Sequence, residues 1–151
     1  MDKFGISLLF TQIALLIVIS GGIITSVKEH NQTPDTVYIQ KKYSDWELLK
    51  VAIIWTESKG QSEAVNNKAY GIYQITPIYI KECNRILGNS IYTHTDAFND
   101  SLANEMYELL QSHHNNSKDV KRAIRLHNKG DRYYNEVMDK FRMLKYLNEN
   151  K

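Results

Sequence analysis

The sequence predicts a mainly α-helical domain, and three observations carry that prediction. Apolar residues recur at helical spacing in five stretches between Ser44 and the C-terminus. Three of those stretches open on helix N-cap residues, Ser44, Thr76 and Asp119, and are followed by Gly60, Gly88 and Gly130. No stretch alternates apolar and polar residues far enough to make a convincing strand. At 151 residues, 42% hydrophobic and with only two prolines, the chain has material for one folded domain and a short appendage. No internal repeat is visible.

The appendage comes first. Phe4 to Val27 contains no charged residue over 24 positions. As a helix it would run roughly 36 Å, enough for a hydrocarbon core of about 30 Å. It is longer than a signal-peptide core of about 7–15 residues, and no A-x-A site follows it; Ser20-Gly21-Gly22 is a poor substitute. Residues 1–27 are therefore read as an N-terminal membrane anchor or signal segment that exports the rest. Lys3 on one side and Lys28, Lys41 and Lys42 on the other leave the orientation open. Residues 28–43 are polar, with one Pro and no apolar face, and read as a linker. The domain is then 44–151.

Ser44 with Glu47 makes a capping box that opens "SDWELLKVAIIWTES". Trp46, Leu49, Ile53 and the Thr56/Glu57 turn share a face, with Leu48, Ala52 and Trp55 widening it, and Gly60 stops the helix. Residues 61–70 are polar and loop-like, and "YGIYQI" reads as a short extended piece or irregular turn. Thr76-Pro77 starts a second helix through Leu87, ended by Gly88-Asn89. A third spans about Asp100 to Gln111, on Leu102, Met106, Leu109 and Leu110. Asp119 starts a fourth, through Ile124 and Leu126 to Asn128, closed by Gly130. The last runs from about Asp131 to Leu147.

Composition excludes some functions. A formal charge of +2 is too small to argue for nucleic acid as partner. The single cysteine, Cys83, rules out an internal disulfide and reads as a small buried hydrophobe. His94, His113 and His114 show no ligand spacing, so no metal or other cofactor is expected.

The chemistry centres on Glu57. A carboxylate in the last turn of a buried helix faces the negative end of the helix dipole, and desolvation opposes its charge too. Both favour the protonated form, which a general acid needs. A solvated charge at a helix end is the plain alternative.

"WTES" is followed thirteen residues after Ser58 by "GIYQITP", then by "AIRLHNKG". This series resembles the soluble lytic transglycosylase (SLT) domains of the lysozyme-like superfamily. Those domains carry a glutamate–serine pair, a "GLMQ(I/L)xP" motif and an "AYNxG" motif in this order. The resemblance implies a helical domain with a glycan groove that cleaves the β-1,4 bond between N-acetylmuramic acid and N-acetylglucosamine in peptidoglycan. Glu57 would be the single general acid and base, giving 1,6-anhydro ends. Ser58, Tyr73, Gln74, His127, Asn128 and Tyr133 would bind substrate. Tyr70 and Tyr134 are further aromatics for sugar faces, and Gly71 reads as a backbone requirement.

Each has a plainer reading: Ser58 closes the helix end, Gln74 satisfies loop backbone, Asn128 is helix-end chemistry, and the tyrosines are core. One departure stands out, since His127 occupies the place of the family's tyrosine. A neutral imidazole can still donate to Glu57, whereas a protonated one would favour the carboxylate. Glu63 and Asp96 are the nearest other acids, and neither has a position that suits a nucleophile. The expected protein is a monomer held at the membrane by its N-terminal helix, with its domain in the periplasm or outside the cell, secreted if that segment is cleaved. A hydrolytic muramidase or phage lysis enzyme of the same fold, a glycan-binding module without activity, and a helical protein of structural role are the alternatives.

Overall fold

The computed structural model describes residues 42–150. The anchor or signal segment expected over 1–27 lies outside the described residues, as does nearly all of the linker. Among the described residues no helix is long and apolar enough to cross a membrane. Five α-helices make up most of the domain: α1 (Asp45–Glu57), α2 (Pro77–Leu87), α3 (Asp100–His114), α4 (Val120–His127) and α5 (Asp131–Glu149).

Their starts follow the expected chemistry. Ser44 and Glu47 form the reciprocal capping box of α1. Thr76 caps α2 ahead of Pro77, and Gly88 ends it in the left-handed conformation. Asn99 and Asp119 cap α3 and α4 through their side chains. The ends differ from the sequence reading at three places. Helices α3 and α5 run a few residues further, to His114 and Glu149. Gly130 does not close α4: Asn128 is its C-cap, and Gly130 is the N-cap of α5. Trp55 is half-buried and outside the core cluster, so the apolar stripe of α1 is narrower than its composition suggests.

Helices α1 and α5 run antiparallel. Asp45 meets Lys145 at 2.7 Å at one end, and Lys140 Nζ reaches Thr56 Oγ1 at 3.2 Å near the other. The core gathers Leu49, Ala52 and Ile53 from α1, Met106 and Tyr107 from α3, Ile124 from α4 and Val137 from α5. Cys83 joins it from α2, fully buried, its thiol facing the Met106 carbonyl at 3.5 Å. Burial pushes that thiol up to about 12.

The segment between α1 and α2 holds what the sequence hid. A two-residue antiparallel hairpin pairs Val65–Asn66 with Ala69–Tyr70 around Asn67 and Lys68, both at positive φ. Strands this short leave no alternation to read. Tyr70 and Ile75 then exchange backbone hydrogen bonds at 3.1 and 2.9 Å, closing a tight turn over "YGIYQI". A 3-10 helix, Thr95–Phe98, packs beneath that turn. Gly71 lies there at φ +69°, and a Cβ on it would sit 1.8 Å from the Ala97 carbonyl oxygen. Only glycine fits.

Candidate active site

Glu57 is the last residue of α1, and its side chain is only 16% exposed. Two elements close on it. The end of α4 brings His127, whose Nε2 lies 3.2 Å from Glu57 Oε1. The start of α5 brings Tyr133, whose hydroxyl is buried without a hydrogen-bond partner of good geometry. Burial, and after it the nearby Glu57 carboxylate, push that hydroxyl far above the ordinary tyrosine range. The acid is thus flanked by two side chains that carry no fixed charge.

His127 is more deeply set than the carboxylate beside it, with 4% of its side chain exposed. The same Nε2 lies 3.0 Å from the backbone carbonyl of Tyr73. A carbonyl can only accept, so Nε2 carries the hydrogen and donates it to Tyr73, with Glu57 Oε1 close by. Four tyrosine rings surround the imidazole. Tyr133 lies nearly parallel to it, while Tyr73, Tyr79 and Tyr107 approach more steeply, all with centroids 5.8–6.4 Å away.

The other predicted residues fall into a supporting layer. Ser58 is buried; its hydroxyl donates to the Ile72 carbonyl at 2.9 Å and receives the Gly60 N–H at 3.1 Å. It ties the end of α1 to the "YGIYQI" turn. The Gln74 amide nitrogen donates to the Gly71 and Ala64 carbonyls at 3.0 and 3.2 Å, from a residue at φ +48°. This is the plainer reading of Gln74, an amide that holds its own loop.

Tyr73 is 1% exposed, stacked on Tyr107 with ring centroids 4.8 Å apart, and it donates to Asn104 at 3.2 Å. Its ring has no surface to offer a sugar; its carbonyl, through His127, is what reaches the site. Asn128 is exposed and accepts the Gly130 N–H at 2.9 Å, which is helix-end chemistry. Tyr70 packs on Phe98, and Tyr134 lies under the Arg125 guanidinium.

Sequence reasoning missed Tyr79 and Tyr107, two walls of the cage around His127. A signal existed for Tyr107, since Ala103, Tyr107 and Leu110 share the buried face of α3. Tyr79 stands four residues before the buried Cys83 on α2. Of the other acids, Glu63 is exposed and Asp96 is occupied by Thr93, whose N–H and hydroxyl both reach it at 2.8 Å. Among the described residues no cluster of His, Cys, Asp and Glu could hold a metal ion. An open surface depression of about 600 Å³ runs along α2 and the turn after it, lined by Ile80, Lys81, Asn84 and Arg85. It includes neither Glu57 nor any residue Glu57 touches.

No curated protein and no solved structure matches the chain. A family model, the transglycosylase SLT domain, matches residues 36–145, a span that contains Glu57, His127, Tyr133 and the turn that holds them. With well over half of its length covered by that model, the chain belongs to the transglycosylase SLT domain family.

Proposed function

We propose that the protein is a lytic transglycosylase that cuts the β-1,4 bond between N-acetylmuramic acid and N-acetylglucosamine, with Glu57 as its acid and base. One observation carries this reading: a largely buried carboxylate at a helix end whose contacts are a neutral-capable imidazole and a phenol, with no fixed cation among them. Such a group can hold a proton and give it up.

In the first step protonated Glu57 gives its proton to the glycosidic oxygen as the bond to the anomeric carbon breaks. In the second the carboxylate takes the proton of the muramoyl 6-hydroxyl while that oxygen attacks the same carbon, closing a 1,6-anhydro ring. The proton count balances, and Glu57 ends as it began. The acetamido group of the substrate steadies the positive charge between the steps, so one carboxylate suffices. The uncharged run 4–27 supports a placement of the domain outside the cytoplasm, held at or released from a membrane.

Mass spectrometry of muropeptides released from purified sacculi by the full chain tests this. Products one water lighter than hydrolysed ends are expected, and Glu57→Gln should release none. Hydrolysed ends would make it a muramidase, and clearing by the Glu57→Gln variant would remove Glu57 from the mechanism.

A further inference from the structure

The charge of the domain is not spread evenly. Between Lys118 and Arg132 six Lys and Arg residues stand against two Asp, whereas the other described residues carry more acids than bases. This stretch is α4 with its N-cap and the turn into α5. Helix α4 buries Ala123 and Ile124. With about 100° of rotation per residue, Lys121, Arg122 and Arg125 fall in one sector about 100° wide on the opposite side.

Two of the six cations are engaged within the domain. Lys118 Nζ lies 5.4 Å from the centre of the Trp46 ring. The Arg125 guanidinium bonds the Lys129 carbonyl and the Asp131 carboxylate, each at 2.5 Å, and covers the Tyr134 ring. The other acid of the stretch, Asp119, accepts the Arg122 backbone N–H as the cap of α4. Lys121, Arg122, Lys129 and Arg132 are exposed, and none of them forms an ion pair among the described residues. Arg132 acts on the Glu136 carboxylate only from a distance, and Lys140 holds that carboxylate at 2.7 Å. Like charges gathered on one face repel one another, a cost that an anionic partner removes.

The patch borders the acid. Lys129 stands two residues after His127, and Arg132 immediately before Tyr133, the two side chains that close on Glu57. In the other direction it follows α4 from His127 back to Lys121, about 9 Å along the helix axis. The sugar backbone of peptidoglycan is uncharged, but its N-acetylmuramic acid units carry peptide stems, and the stems bear carboxylates. We propose that the face formed by Lys121, Arg122, Lys129 and Arg132 binds stem carboxylates, so that the substrate is stem-bearing, anionic peptidoglycan and not bare glycan. This rests on the reading of peptidoglycan as the polymer that Glu57 cuts. Position favours stems over other polyanions. Membrane phosphates could be met by a basic face anywhere on the domain, whereas stem carboxylates call for one beside the acid. Exposed cations in water contribute little singly. Several together raise the local concentration of an anionic polymer and speed its arrival, and salt weakens both effects.

Cosedimentation in the cold with purified sacculi tests this, using the full chain with Glu57→Gln so that pelleting reads binding and not digestion. The sacculi are freed of phosphate polymers, and one portion is stripped of its stems with an amidase. At low salt the stem-bearing material should bind at least about 10-fold more tightly than the stripped glycan, the lower end of electrostatic capture. The difference should fade towards roughly 1 M salt, where the Debye length is about 3 Å. Adding Lys121→Glu, Arg122→Glu and Lys129→Glu together should remove it with the circular dichroism spectrum kept. The first two lie in the first turn of α4, where an acid suits the helix dipole. If the triple variant misfolds, the stem and salt comparisons of the unreversed chain decide alone. Equal binding of the two materials, or a preference that survives the reversal in a folded chain, would overturn the proposal. So would vesicles of phosphatidylglycerol and phosphatidylcholine that lose their binding on reversal while the sacculi do not discriminate, since the face would then belong to a membrane. Muropeptide release by Glu57→Gln would unseat the acid and leave the stem preference standing, so the two readings fail separately.

Discussion

Glu57 and Glu108 are two carboxylates on the same small domain, the first largely buried and the second partly so, and they are set among opposite kinds of neighbour. Glu108, on α3, lies 2.7 Å from the Lys50 ammonium and takes the Trp46 indole N–H at 3.0 Å. A permanent cation and a fixed donor make it a structural anion that fastens α3 to α1. Glu57 has a ring nitrogen at 3.2 Å and a phenol, neither with a fixed charge. Burial is similar in kind at both sites; the charge of the partner differs. The domain thus sets one acid against a permanent cation and another against neighbours without fixed charge.

The sharpest way to break this contrast is to neutralise each acid in turn. Glu57→Gln should lower the rate of wall digestion by about 10²–10⁴-fold, the usual contribution of a general acid, with the circular dichroism spectrum unchanged. A variant that digests normally would make Glu57 another Glu108. The turn that supports His127 comes next. Gly71→Ala drives a methyl carbon into the Ala97 carbonyl from a left-handed backbone, and should cost about 2–4 kcal/mol in denaturant titration. Native stability there would mean that the 3-10 helix can yield.

Glu108→Gln is the mirror of the first experiment. It should cost about 1 kcal/mol of stability, as expected of a partly exposed ion pair, and leave kcat alone. A loss of kcat with the fold intact would erase the division of labour. The smallest effect belongs to Glu82, an acid held by cations at the surface. The Arg85 and then the His114 side chains hold its carboxyl down to about 2. Its folded value lies below its unfolded one, so its stabilisation is present above about 4.5 and is lost as pH falls towards 2. Melting curves should show a slightly shallower acid limb for Glu82→Gln than for the parent.

Much of this was legible in the sequence because it is local chemistry. Ser44, Thr76 and Asp119 cap the helices they precede, and Glu57 ends α1 as the apolar period requires. The turn at Tyr70–Ile75 was not, since its shape depends on Ala97, 26 residues after Gly71 in the chain. The supporting roles of Ser58 and Gln74 follow the same rule. Their side chains satisfy backbone groups that only the folded chain brings close. His127 stood out as a departure from the family pattern, but its depth did not. That depth depends on Tyr79 and Tyr107, contributed by helices α2 and α3 that the motif leaves out.

The lone cysteine gives the molecule an internal clock. Cys83 is sealed in the core with its sulfur in the thiol form at neutral pH, so neither air nor an alkylating reagent finds a nucleophile in the native state. Labelling can proceed only through opening, and its rate therefore counts how often the α2–α3 contact comes apart.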